Sequence, residues 1–242
     1  MDKQELKQIL ATKAPAYQRS LIEIPKDCFV TWHSSLTDYL DSVLGDSPKM
    51  QNRIDHLVMR YRLGATDEVK GEHYGTVLPR INRKGMIVGG NVLHFNVDDG
   101  SILNHDALVN HLYSWYAFDY YVDPDVFFGE HLLYGRQAVI VQEEKTALLG
   151  KLAYPEIEWL AVGVGNNLTD GMMKKLMGRQ VILFPDDFSY EFWSEHFGKK
   201  FKVDDSFTHC DINQYLIDFI HSQQVPQAVT RVRREIKGLP LI

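Results

Sequence analysis

At 242 residues, 45% apolar and 24% charged, the sequence has ordinary globular composition and length for one large domain or two small ones, which excludes a disordered chain. A formal net charge of −6 excludes a generally basic protein that coats nucleic acid, so any strand-binding surface has to be a local patch. Cys28 and Cys210 lie far apart with no CxxC, so no zinc is expected, and with neither an apolar leader nor a membrane-length run the chain is expected to be cytoplasmic, without a membrane partner.

Leu6, Ile9 and Leu10 recur at helical spacing over residues 3–13 and predict a short amphipathic helix, after which Pro15 and Pro25 bracket an irregular connection. Ser34 is placed to cap a helix running toward Leu44, with Leu36, Tyr39, Leu40 and Leu44 on one face and Gly45 as its end. Ser47-Pro48 opens the next helix, in which Ile54, Leu57, Val58 and Tyr61 share a side and Gly64 is the expected stop. Arg60 and Arg62 in its last turn either complement the helix dipole or contact phosphate.

The period then changes. Thr76–Ile81 and Met86–Val88 are β-prone runs around the turn Asn82-Arg83-Lys84-Gly85; Asn91–Val97 reads as another strand, and Asp98-Asp99-Gly100 as a turn. A small antiparallel sheet of about three strands is expected. Leu108, Leu112, Trp115 and Tyr116 mark a helix with an aromatic core face; base stacking by Trp115, Tyr120 or Tyr121 is the other reading of these rings. The expected division runs here, between an α+β N-terminal subdomain of residues 1–125 and an α/β subdomain of residues 126–242.

The stretch from Ala138 to Trp193 organises the rest. Ala138–Val141, Trp159–Val164 and Val181–Phe184 are apolar runs separated by a helix over Thr146–Leu152 and by a second with Met172, Met173, Leu176 and Met177 inside. Strands alternating with helices argue for a parallel sheet, whose working residues sit past the carboxyl ends of the strands. Glu143 or Glu144 follows the first run there, and Asp186 and Asp187 follow the third. Carboxylates on neighbouring strand ends suit a hard cation with phosphate completing its shell; equally, Asp186 or Asp187 caps the helix through Tyr190 and Trp193. The loop Gly163–Asn167 either holds a phosphate on its backbone N–H groups or is a tight turn. Lys145 lies in the first turn of its helix, where the dipole disfavours a cation unless an anion docks beside it or solvent covers it. Beyond, Phe201-Lys202-Val203 can add a strand, and Asp211 can cap a helix burying Tyr215, Leu216, Phe219 and Ile220. Arg231, Arg233, Arg234 and Lys237 form a basic tail, a solvated end or a nucleic-acid arm.

Val139-Ile140-Val141-Gln142-Glu143-Glu144-Lys145-Thr146-Ala147-Leu148 resembles the first Toprim motif, an apolar strand followed by VEGEKTAL or VESEKTA. Val181–Phe184 with Pro185-Asp186-Asp187-Phe188 resembles the second, an apolar strand followed by PDxD. Tyr61–Ala65 and Val77–Gly90 resemble the stretches that precede the Toprim unit of bacterial primases, and the layout is similar to primase-like proteins of Bacteroides-type genomes and their mobile elements. The resemblance implies an α/β fold, a Toprim-like mostly parallel sheet flanked by helices and preceded by a primase-core-like α+β subdomain. It also implies Mg²⁺ or Mn²⁺ held by a glutamate and a DxD pair.

Residue by residue, the family glutamate falls on Gln142, the first aspartate on Asp186 and the second on Phe188. The reading that follows is a primase-like protein of mobile-element DNA or RNA transactions, a nucleic-acid-binding or accessory factor with a degenerate catalytic centre. Arg60, Arg62, Arg80, Arg83, Lys84 and Lys145 would contact phosphates. The first alternative is an active metal-dependent phosphotransferase or nuclease, with Glu143 and Glu144 as catalytic carboxylates and Asp186 and Asp187 as metal ligands. The second is a ligand-free module that binds a protein of a replication or mobile-element system.

Overall fold

Ser34 starts the first helix with a reciprocal cap: its hydroxyl accepts from the Thr37 N–H, while the Thr37 hydroxyl accepts from the Ser34 N–H at 2.7 Å. The resulting helix, α1 (Ser35–Leu44), ends at Gly45 with φ 82. The computed structural model describes residues 19–24, 33–45, 47–70, 73–113, 116 and 119–224. The expected helix over 3–13, Pro15, Pro25, Cys28, Trp115 and the basic tail from Arg231 to Lys237 lie outside the described residues.

Helix α2 (Pro48–Tyr61) opens as expected, with the Ser47 hydroxyl accepting from the Met50 N–H. It does not stop at Gly64. Arg62 takes the left-handed conformation (φ 55), the one non-glycine among the described residues to do so, and its N–H turns back to the Met59 and Val58 carbonyls. A non-glycine in this region costs about 1 kcal/mol; the Arg62 Nη1 bond to the Gly85 carbonyl, 3.3 Å, works against that cost. Gly64 thereby becomes the first residue of a strand.

Four strands, rather than about three, make the first sheet: β1 (Gly64–Lys70), β2 (His73–Ile81), β3 (Ile87–Phe95) and β4 (Ile102–Ala107), antiparallel in sequence order. The two runs read at Met86–Val88 and Asn91–Val97 are one strand. Gly89 and Gly90 keep it continuous at φ 151 and 136, and a Cβ on Gly89 would stand 3.0 Å from Arg80 Nη2. The apparent break is therefore the place where the Arg80 side chain crosses the sheet. Helix α3 (Leu108–Tyr113) follows β4; Tyr113 stacks on Tyr120 with centroids 3.4 Å apart, and Tyr116 and Tyr121 are exposed.

The second sheet is parallel throughout, in the order β6-β5-β7-β8, with β5 (Gln137–Val141), β6 (Glu158–Ala161), β7 (Gln180–Phe184) and β8 (Lys202–Val203). Helices α4 (Glu144–Ala153), α5 (Asp170–Lys174) and α6 (Tyr190–Phe197) connect successive strands, and α7 (Ile212–Gln224) ends the described chain. Alternate residues of β5 face opposite cores. Val139 and Val141 pack with α4, α7 and the N-terminal helices, whereas Ala138 and Ile140 pack with Met172, Met173, Leu176 and Trp193. Met177, expected inside, is exposed. Because the first of these cores also takes in Leu36, Tyr39, Tyr61 and Phe95, both sheets are anchored to one apolar mass. Among the described residues no helix is long and apolar enough to cross a membrane.

Candidate functional site

The chain leaves β5 into Gln142 and Glu143, leaves β6 into the loop from Gly163 to Asn167, and leaves β7 into Pro185-Asp186-Asp187-Phe188. These loops lie together past the carboxyl ends of the parallel strands, where such sheets do their work. Two clefts open between them. The larger, about 410 Å³, is lined by Gln142, Glu143, Asn167, Asp186, Phe188 and Phe192. The smaller, about 290 Å³, shares Gln142, Glu143, Asp186 and Phe188 and adds Asp187 and Asp211. Glu143, Asp186 and Asp187 thus line the smaller cleft together.

What these side chains do there differs from a metal centre. Gln142 Nε2 donates to the carbonyl oxygens of Gly163 (3.4 Å) and Asn166 (3.0 Å), stitching β5 to the β6 loop. Asp186 Oδ1 accepts from the Ser189 N–H at 2.8 Å and from the Ser189 hydroxyl, and the Tyr190 N–H returns to the Asp186 carbonyl, so Asp186 acts as a cap to the turn entering α6. Asp187 pairs with His209 Nδ1 at 3.1 Å. Phe188 offers no ligand atom and is 97% exposed. Among the described residues no three His, Cys, Asp or Glu side chains converge as a cation shell. The carboxylates at the rim are those of Glu143, Asp186 and Asp187, of which Asp186 already holds Ser189 and Asp187 already holds His209.

Glu144 and Lys145 turn away from the clefts, which corrects the placement expected of both. Glu144 is fully buried: its Oε1 accepts from Asn91 Nδ2 at 2.6 Å and its Oε2 from the Val164 N–H at 3.1 Å. Burial pushes its carboxyl above the usual range, against those donors and the nearby Arg80. Lys145 is buried as well; Nζ donates to the Gly100 carbonyl at 2.6 Å and lies 5.7 Å from the Tyr39 ring centroid. Neither a docked anion nor solvent is needed for a cation at this helix start, since the Asp99 carboxylate acts on it from the β3–β4 turn. A carbonyl of the same turn and an aromatic face hold it as well.

Arg80 is likewise not at the surface. It is buried over Gly89, its Nε and Nη1 have no hydrogen-bond partner, and Glu144 and Asp123 are the charges that act on it. Arg60, Arg62, Arg83 and Lys84 are exposed. The Arg62 bond to Gly85 closes the end of α2 onto the β2–β3 turn, so Arg62, Arg83 and Lys84 share one corner of the molecule. The expected set of six cations therefore divides into four at the surface and two inside.

Asn91 and His105 did not stand out in the sequence. Asn91 Oδ1 meets His105 Nε2 at 3.1 Å, and its Nδ2 reaches both Glu144 and the Val164 carbonyl, so one amide ties the antiparallel sheet to the loop that walls the larger cleft. The available signal was an amide directly after Gly89-Gly90 in an otherwise apolar run.

A family model described as "Domain of unknown function (DUF6371)" matches residues 34–187. No curated protein matches the sequence. Among solved structures, the primase fragment of the bacteriophage T7 primase-helicase protein is similar at 18% identity, with a TM-score of 0.52 over 86% of this chain and 83% of that one. The RNA polymerase domain of Mycobacterium tuberculosis primase DnaG follows at 14% identity, TM-score 0.48, over 76% and 74%. A DnaG primase catalytic domain bound to ssDNA is similar at 11% identity, TM-score 0.43, over 84% and 71%. The T7 likeness shows the fold: an antiparallel sheet followed by a parallel sheet flanked by helices, as in a primase catalytic core.

Proposed function

The chain belongs to the family described as Domain of unknown function (DUF6371), and from that membership and its fold we propose that it is a Toprim-like, primase-related protein that binds nucleic acid in DNA or RNA transactions of a mobile element. Its role is that of a binding or accessory factor, because the centre that would hold catalytic metal carries Gln142 and Phe188 and spends Asp186 on capping. The observation that carries the binding half is the Arg62 bond to Gly85, which gathers Arg62, Arg83 and Lys84 into an exposed basic corner on a chain of net charge −6. A local cluster of this kind is the electrostatic footprint expected of a phosphate-contacting surface on an acidic protein.

The test is fluorescence anisotropy of labelled single- and double-stranded oligonucleotides, begun at low salt and repeated as salt is raised. Binding that weakens log-linearly with salt is expected, since phosphate contacts release counterions. Absence of binding to either form at low salt would remove the reading.

A further inference from the structure

The larger cleft has a lining unlike that of a phosphate or metal site. Gln142 spends its amide N–H groups on Gly163 and Asn166, leaving its carbonyl oxygen to accept from something in the cleft. Asn167 adds an exposed amide with both a donor and an acceptor. Glu143 and Asp186 place carboxylates on the rim, which repel phosphate and accept from amino groups. Phe188 stands between the two clefts, 97% exposed, and Phe192 is 41% exposed with its ring 4.1 Å from that of His196. The Phe188 ring is presented by a backbone pinned on both sides, since the Ser189 and Tyr190 N–H groups return to Asp186.

We propose that this cleft receives one base of a single strand, with Phe188 as the stacking platform and Gln142, Asn167 and the rim carboxylates meeting the base edge. The inference rests on the nucleic-acid reading above and assigns its strand type. Stacking needs a flat face, which an exposed ring on a fixed turn provides. The space, about 410 Å³, admits a base with its sugar. Charge sets the orientation: the carboxylates exclude the backbone and favour an edge bearing an exocyclic amino group, as acidic side chains do toward cytosine N4. The phosphates then lie outward, toward solvent. A protein anchor is the poorer occupant, because its apolar tip would strand the amides and carboxylates without partners.

The experiment compares wild type, Phe188→Ala and Phe188→Trp by anisotropy on oligo-dC, oligo-dT and an abasic strand of equal length. Phe188 is exposed, so its variants keep the fold, and a CD melt checks this. Expected are a loss of about tenfold on oligo-dC in Phe188→Ala, no change on the abasic strand, retained affinity in Phe188→Trp with quenching of the new indole, and oligo-dC bound more tightly than oligo-dT. Equal affinity of wild type and Phe188→Ala for oligo-dC would overturn the stacking assignment while leaving nucleic-acid binding in place. Equal affinity for dC and dT would overturn the edge assignment. Failure of the wild type to bind any strand would remove both this inference and the reading beneath it.

Discussion

Asn91 Nδ2 stands 2.6 Å from Glu144 Oε1, a bond between β3 of the antiparallel sheet and the first turn of α4 on the parallel sheet. Both residues are buried. The same amide reaches the Val164 carbonyl at 3.2 Å, so the wall of the larger cleft is held by the sheet behind it as well as by its own loop, whose Asn166 Nδ2 donates to that carbonyl at 3.1 Å. Asn91→Ala leaves a buried carboxylate short of a donor, with an expected loss of about 2–3 kcal/mol. Urea and thermal melts followed by CD measure it; an unchanged midpoint would show that the contact contributes nothing to stability.

Glu144 also gives the fold a pH dependence. Its carboxyl is raised in the folded state by burial, so the native chain holds that proton more tightly than the unfolded one. The associated stability is complete below the ordinary value of 4.5 and is lost as pH rises through the shifted one. Glu144→Gln removes the titration and, having one acceptor for two donors, is the less stable protein under acid conditions. The Tm advantage of wild type over this variant should shrink as pH rises above the ordinary carboxyl value of 4.5. A pH-independent difference would contradict this account.

The surface and buried arginines should separate cleanly. Arg62→Asn with Arg83→Ala and Lys84→Ala removes three exposed cations, and asparagine tolerates the left-handed backbone at position 62. The log–log salt slope for single-strand binding should become shallower by about 2 with little change in Tm. Arg80→Met should do the reverse, lowering Tm and leaving the salt slope alone, because the Arg80 guanidinium lies over Gly89 inside the protein. A salt slope that responds to Arg80→Met would mean phosphate reaches that residue.

Gln142 faces two carbonyl oxygens, so Gln142→Glu sets an acceptor against acceptors and should cost about 1–3 kcal/mol. Calorimetric titration with Mn²⁺ should give no saturable binding in wild type or Asp186→Ala, and measurable binding in the double variant Gln142→Glu, Phe188→Asp. Saturable binding by wild type that vanishes in Asp186→Ala would instead support a working centre built from Glu143, Asp186 and Asp187.

The elements with local signatures were legible in the chain. Ser34 and Ser47 mark helix starts through short-range hydrogen bonds, and the apolar runs of β5, β6 and β7 follow from burial on both faces. The strands β1 and β4 were not legible, since β4 runs through half-buried and exposed positions around polar residues and is held by its ladder to β3. The end of α2 was misplaced at Gly64, because the residue that closes the helix is a left-handed Arg62 whose side chain is held by a carbonyl 23 residues further on.

By itself the sequence determined the alternation of strands and helices from β5 to α6, the place of Glu143 and Asp186 past the ends of β5 and β7, and the presence of Gln142 and Phe188 beside them. Those are properties of residue type and local spacing. Only the tertiary structure decided which charges face water. Glu143 and Glu144 are adjacent, yet one borders a cleft and the other is sealed against Asn91; Arg80 and Arg83 lie in one short stretch, yet the first is buried and the second exposed. The direction of a side chain in a loop or strand is set by what packs against it, and those partners, Asn91, Gly100 and Gly89, are distant or unremarkable in the sequence.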